Sequence, residues 1–331
     1  MKRPSFRVFL QNLYSFFVYD SHQYDLENRN KIIQFQKHEK LLQIKLQMLD
    51  WLFMEKNRDV SDKNKNGSRL YENIDNQLFT FFLSSDYDGL VRFPYNQIKT
   101  VGEIKAGRDK HLNLPFVLHK GKRLYYPSEY SLDDCVDAYR FLIEQDQILE
   151  SGYLEKAPHC YQLEQFKVEK GDVLLDGGAA EGLFTLELID EVSQAYIVEA
   201  DAKWLPALRA TFAPYADKVK IINKFLSDTI DDRNTTIFEV LSKQKGQCFV
   251  KMDIEGAEPK VIKGSAGFLR SRDNIKLSCC SYHYNDDAET MARLFDEIGY
   301  WHEFSDGWLF FAEYDSPKPP FFRKVLIRAR K

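Results

Sequence analysis

The sequence predicts an α/β protein built on a doubly wound, mostly parallel sheet, with an N-terminal helical and mixed accessory region in front of it. Three observations carry this. From about residue 165, short apolar runs alternate with helical segments, the pattern of strands covered on both faces. A glycine-rich turn, Gly177-Gly178-Ala179-Ala180-Glu181-Gly182, directly follows the first of these runs. Acids close several of the strands, where open α/β sheets bind their ligands.

The chain has 331 residues, enough for two domains or for one with a large extension. A hydrophobic fraction of 44%, with 25 Phe and 18 Tyr, supplies a sizeable core and excludes global disorder. The 46 basic residues sit among 50 acidic ones, for a net charge of −4, so no basic excess points to nucleic acid as a partner. The five cysteines include no C-x-x-C pair, which suits a reducing compartment better than a disulfide framework. Lys2 and Arg3 precede an apolar run over 6–18, but Arg7, Gln11 and Asn12 interrupt it and no small-residue cleavage site follows. No stretch reaches the roughly 18 apolar residues of a membrane helix. A soluble, cytoplasmic protein is expected.

Residues 29–57 read as one long helix, with Leu42, Leu46, Leu49 and Phe53 on one stripe. The stripe either packs on its own domain or forms a homodimer seam; two heptads are too few for a coiled coil. Residues 58–68 are polar and read as a linker. Residues 70–130 are rich in Tyr and Phe, with a strand-like piece at Leu114 to Leu118. Residues 131–152 read as a helix capped by Ser131, with Asp133 and Asp134 in its first turn. The expected division is a helical region over 1–66, an accessory or substrate-cap region over 67–160, and a ligand-binding domain over 161–331. In that last part, strands are expected at 173–176, 195–199, 219–225, 248–253 and 275–282, and a terminal hairpin from 308–312 and 325–327. The basic tail from Arg323 to Lys331 reads as an edge strand with solvated charges.

The strand ends define a candidate site. The first strand ends in Asp176, the second in Glu199 before Ala200, and the fourth in Asp253. Ser227 and Asp228 follow the third, and the fifth runs into His283. Gly177 and Gly178 allow backbone angles other residues resist, and Gly182 lets the next helix pack closely. Such a turn serves a dinucleotide or S-adenosylmethionine equally. Charge separates the two: Asp176 and Glu181 would repel a pyrophosphate but suit the ammonium and sulfonium of S-adenosyl-L-methionine. Glu199 fits the ribose hydroxyls of either ligand. No phosphate loop, H-E-x-x-H or G-x-S-x-G occurs.

A second motif, Lys251-Met252-Asp253-Ile254-Glu255-Gly256-Ala257-Glu258, ends the fourth strand. Together with Asp176-Gly177-Gly178-Ala179-x-x-Gly182, in that order, it resembles the FkbM family of methyltransferases over about residues 140–315. The resemblance implies a Rossmann-like fold of the class I methyltransferase type, S-adenosylmethionine as donor, and O-methylation of a sugar, polysaccharide or other natural-product hydroxyl. Glu144-Gln145-Asp146 and Pro158-His159-x-Tyr161 look like the family's lead-in segment, which can lie over the cofactor; Ala157 and Cys160 interrupt its pattern. By that resemblance Asp176, Gly177, Gly178, Ala179, Glu181, Gly182, Glu199, Ala200, Ser227, Asp228, Asp253, His159 and Tyr161 are the cofactor-binding candidates.

Methyl transfer to an alcohol is an in-line displacement in which the hydroxyl must stand behind the methyl carbon, and a base helps its proton leave. His283 is the expected base because an imidazole titrates near neutrality, with Asp253 binding the hydroxyl, orienting the ring or ligating a metal. Glu255 and Glu258 are substrate-binding candidates. Lys251 is expected to pair with an acid. Asp286 and Asp287 could complete an oxygen-ligand site for magnesium, but they equally favour the start of a helix over 286–298, and no metal ligand is assigned. The competing readings are a nicotinamide-dependent oxidoreductase and a non-catalytic interaction protein that assembles through its N-terminal helix.

Overall fold

The computed structural model describes residues 36, 39–40, 42–50, 90–93, 102–145, 158–311 and 321–331. In chain order its elements begin with helix α1 over 42–50 and strands β1 (Leu90–Phe93), β2 (Ala106–Asp109), β3 (Leu114–His119) and β4 (Lys122–Tyr125). Helix α2 (Leu132–Gln145), β5 (Val173–Gly177), α3 (Leu183–Glu187), β6 (Gln194–Val198), α4 (Leu205–Phe212) and β7 (Val219–Ile222) follow. Then come β8 (Phe225–Leu226), β9 (Asn234–Thr235), α5 (Ile237–Leu241), β10 (Cys248–Met252), α6 (Glu258–Arg270), β11 (Ile275–Cys280) and α7 (Asp287–Ile298). The chain closes with β12 (Trp301–Phe304), β13 (Trp308–Phe311) and β14 (Leu326–Arg330).

Seven strands form the central sheet in the order β12-β14-β11-β10-β5-β6-β7. β14 runs antiparallel to both its neighbours, and the pairings among β11, β10, β5, β6 and β7 are parallel. This is the Rossmann-like, doubly wound and mostly parallel sheet that the sequence predicts. Every residue of β5 and β10 is buried. Alternate side chains serve two cores. Leu174, Ile197 and Phe249 pack with α3, α4 and the accessory residues Val117, Leu124, Tyr126 and Tyr139. Val173, Leu175, Val250 and Leu277 pack with α5, α6 and α7. This is the period-two alternation of a sheet covered on both faces.

The accessory strands β2, β3 and β4 form an antiparallel meander tied to the sheet domain by polar contacts. Tyr125 N donates to Thr211 Oγ1 at 3.0 Å, Lys122 pairs with Asp190 at 2.6 Å, and the His119 ring reaches both Tyr139 and Glu187. Ser131 caps α2 as expected. Its hydroxyl accepts from Asp134 N at 3.0 Å while the Asp134 carboxylate accepts from Ser131 N at 2.9 Å, a reciprocal capping box. All five cysteines are buried. Among the described residues no helix is long and apolar enough to cross a membrane.

Several expectations need correction. In α1 the buried apolar side chains are Ile44 and Met48, whereas Leu46 and Leu49 are 46% and 42% exposed, so the core-facing stripe is not the leucine stripe. Phe53 and the linker over 58–68 lie outside the described residues. The third strand stops at Ile222 because Asn223 turns to donate to Glu199 O and Ala200 O at 2.8 and 3.0 Å; Phe225–Leu226 then pairs separately with β9. The terminal hairpin survives only as a bridge between Leu309 and Arg323, since β13 pairs with β1 and β14 enters the main sheet. The basic tail is therefore interior, and Arg328 is 1% exposed. The edge belongs to β12, Trp301-His302-Glu303-Phe304, whose two central polar residues leave little apolar signal.

Candidate active site

The parallel part of the sheet reverses its direction of growth between β5 and β10, and the crevice beyond their carboxyl ends is where such folds bind ligands. Their register sets Asp176 beside Lys251 and Gly177 beside Met252, which brings the two sequence motifs side by side. The contact is tight. Asp253 N donates to Gly177 O at 3.1 Å, and a Cβ on Gly178, whose φ is +68°, would fall 1.8 Å from Asp253 O. Only glycine fits there. A Cβ on Gly182, whose φ is +84°, would fall 2.8 and 2.9 Å from the side chains of Phe212 and Leu208 in α4. Two non-glycine residues also hold left-handed angles, Ala180 (φ 47°) in the first turn and Glu255 (φ 57°) in the second. Such strain concentrates at functional sites, and nothing in the sequence signalled it.

Lys251 holds the first turn from behind. Its side chain is buried, its Nζ donates to Gly178 O at 2.7 Å, and it pairs with Asp176 at 3.1 Å. Burial would lower the ammonium pKa, but Asp176 and Asp253 raise it. The expected Lys251–acid pair is thus present. Asp176 is 0% exposed and also accepts from Thr185 Oγ1 at 2.8 Å, so its charge is committed inside the fold. Paired in this way, Asp176 adds little repulsion toward a pyrophosphate at the turn. Glu199 takes over part of it: its carboxylate accepts from Ala180 N at 2.8 Å and Asp201 N at 2.7 Å, so a turn N–H that could bind an anion already faces a carboxylate. Glu181 is buried, and burial pushes its carboxyl up to about 7. Ala179 is buried and Ala200 half-buried along the same rim. Ser227 and Asp228 are directed to α6: Asp228 pairs with Lys260 at 3.1 Å and packs against Gly264, and Ser227 donates to Asp228 at 3.2 Å.

Asp253 gathers the remaining candidates. Tyr161 OH donates to its Oδ2 at 3.1 Å, and Tyr282 OH and His283 Nε2 reach its Oδ1 at 3.4 and 3.1 Å. Burial would raise its pKa, but the His283 hydrogen bond and the Lys251 charge hold it well below the usual carboxylate range. His159 and Tyr161 thus arrive at the site, as a buried backing to Asp253. The His159 ring meets Tyr161 and Tyr282 edge-on, and its Nε2 lies 3.4 Å from Cys280 Sγ.

His283 faces three carboxylates: Asp253 at 3.1 Å, Glu258 at 3.3 Å and Glu255 at 3.7 Å. Burial would lower its pKa, but the hydrogen bonds to Asp253 and Glu258 outweigh that and push it up to about 10. The expected neutral base is therefore an imidazolium at pH 7 in this arrangement. Glu258 is 0% exposed and accepts from Ile254 N at 2.8 Å, so it backs His283 rather than meeting a substrate directly; the Glu255 side chain is 94% exposed. Asp287 is buried and accepts from Tyr284 N at 2.7 Å at the start of α7. The helix-start reading of Asp286–Asp287 therefore holds, and among the described residues neither belongs to a group that could share an ion.

Sequence reasoning missed Tyr282, which its place beside His283 at a strand end could have revealed. It also missed Arg323, whose Nη1 donates to Tyr282 O and His283 O at 2.7 and 2.9 Å. Forty residues separate Arg323 from His283, and no local pattern links them.

No family model matches the chain, and no curated protein matches it. Solved structures similar to it include methyltransferase FkbM from Methylobacillus flagellatus, with 17% identity and a TM-score of 0.38, covering 49% of this chain and 44% of that one. Precorrin-6y C5,15-methyltransferase from Geobacter metallireducens has 15% identity and a TM-score of 0.35, covering 50% and 82%. An rRNA methylase from Streptococcus thermophilus has 9% identity and a TM-score of 0.31, covering 50% and 89%. The chain spans less than half the length of the first of these.

Proposed function

We propose that this chain is an S-adenosylmethionine-dependent methyltransferase that acts on a hydroxyl of a sugar or glycan-type acceptor. The observation that carries the proposal is the glycine turn at the β5–β10 switch point, pressed against Asp253 and lined by carboxylates. Glu199 faces the turn's Ala180 N–H, and Lys251, which donates to Gly178 O, is buried behind the turn. A rim of this charge favours a ligand carrying an ammonium and a sulfonium over one carrying a pyrophosphate, which also disfavours a nicotinamide cofactor. The FkbM-like motifs support the hydroxyl and sugar class.

In the proposed reaction the acceptor hydroxyl donates to Asp253, whose carboxylate is oriented by Tyr161, Tyr282 and His283. The hydroxyl oxygen attacks the methyl carbon, the carbon–sulfur bond breaks, and its electron pair stays on sulfur as the neutral thioether. The oxygen becomes strongly acidic as its new bond forms, so a weak carboxylate base suffices to take the proton. Asp253 is the group placed to do so. Holding the oxygen in line is the larger task.

Calorimetry with S-adenosylmethionine and with its demethylated product tests the donor; absence of binding for both sinks the proposal. Incubation with a panel of nucleotide sugars and oligosaccharides, read by mass spectrometry for an added methyl, tests the acceptor class. Asp253→Asn is expected to lower turnover about 10²–10⁴-fold while donor binding persists.

A further inference from the structure

The geometry points to a divalent transition-metal site made by Asp253, Glu258 and His283. These residues come from three elements: the end of β10, the first turn of α6, and the segment after β11. His283 Nε2 stands 3.1 Å from Asp253 Oδ1 and 3.3 Å from Glu258 Oε1, and one ligand atom from each of the three lies within 4.8 Å of the others. For metal–ligand bonds of about 2.1 Å meeting at right angles, neighbouring ligand atoms are about 3.0 Å apart, close to the two distances from His283 Nε2.

A second observation points to the same place. Glu258 is 0% exposed, yet its Oε2 has no hydrogen-bond partner among the described residues. A buried carboxylate oxygen left this way is costly. Two carboxylates face Nε2 of one imidazole here, and a divalent cation balances that charge where a single proton does not.

The surroundings are those of a metal site. Tyr161 and Tyr282 fix the Asp253 carboxylate, and Glu255 Oε2 lies 3.7 Å from His283 Nδ1, the ring nitrogen away from the site. Arg323 holds the backbone carbonyls of Tyr282 and His283. The Asp253 side chain keeps 18% exposure, which leaves the metal a face open to the crevice. One imidazole with two carboxylates suits Mn2+, Fe2+, Co2+ or Zn2+ better than Mg2+, which favours oxygen ligands alone. On the methyltransferase reading, on which this role rests, the open face would take the acceptor oxygen and lower the pKa of its hydroxyl.

The test is titration of the chelator-stripped full chain with Mn2+ by calorimetry and with Co2+ by visible absorption. One ion per chain is expected, with cobalt bands that lack a thiolate charge-transfer transition. Glu258→Gln, which keeps the side-chain shape, and His283→Ala should each weaken binding by at least about tenfold, and Asp286→Asn should not. No stoichiometric binding by the wild-type chain would overturn the site, as would full affinity in both ligand variants. A thiolate band would overturn it in favour of Cys280 with His159 on the other side of Asp253. S-adenosylmethionine binding measured on the same stripped chain reports separately on the methyltransferase reading.

Discussion

Replacing Lys251 with Met removes the charge that anchors the candidate site while keeping most of the side-chain volume. Lys251 Nζ lies 3.1 Å from a carboxylate oxygen of Asp176, and both side chains are almost fully buried. At that distance and an effective dielectric of about 20, their attraction is about 5 kcal/mol. Losing one partner of a buried pair costs about 3–5 kcal/mol, because the other charge stays behind in a medium that solvates it poorly. Thr185 alone would remain to satisfy Asp176, and the carbonyls of Gly177 and Gly178 would lose their shared donor. The expected outcome is a destabilisation of about 3–5 kcal/mol, read by reversible urea unfolding with circular dichroism. Asp176→Asn should also destabilise the fold, and the double variant should cost at least about 2 kcal/mol less than the two single changes together, since it leaves no lone charge. Additive effects, or a Lys251→Met cost below about 1 kcal/mol, would refute the claim that the pair acts as one buried unit.

Three further outcomes follow from the same geometry. Gly178→Ala places a methyl against Asp253 O at a left-handed φ, so it should cost at least about 2 kcal/mol and abolish donor binding, whereas Gly267→Ala in α6, with open space around it, should gain up to about 1 kcal/mol; thermal unfolding of the two separates these. Glu181, near Lys251, Asp176 and Tyr126, has a folded pKa of about 7, raised by burial above 4.5. A raised carboxyl pKa favours the fold at low pH and loses that contribution as pH rises from 4.5 through 7, so Glu181→Gln should become more stable relative to wild type by about 3 kcal/mol between pH 4 and 8, and a flat difference across that range would count against it. Tyr161→Phe deletes a hydroxyl that donates to Asp253 and should cost about 1.5–3 kcal/mol in urea unfolding; unchanged stability would show that Asp253 is held without it.

Much of this was legible locally. The alternation of strands and helices after residue 165 follows from a two-faced core, and that burial requirement leaves its mark on each strand separately. Gly178 was readable as a conformational necessity, and Asp253 and His283 as strand-end residues. The Ser131 cap and the start of α7 were readable because both depend on contacts three residues apart.

What the sequence alone determined is therefore the fold class, the position of the glycine turn and the identity of the residues at the strand ends, because burial period and backbone sterics act within a few residues. The tertiary structure decided what those residues do with their charges. Asp176, prominent in the sequence as an acid beside a ligand turn, is neutralised by Lys251 across the β5–β10 register. His283, read by residue type as a neutral base, has its pKa pushed up to about 10 in the metal-free chain, because hydrogen bonds to Asp253 and Glu258 outweigh the cost of burial. Arg328, expected on an exposed edge, is buried because β14 inserts between β11 and β12. Strand order and long-range electrostatics join residues tens to hundreds of positions apart, and no local pattern in the chain encodes those distances.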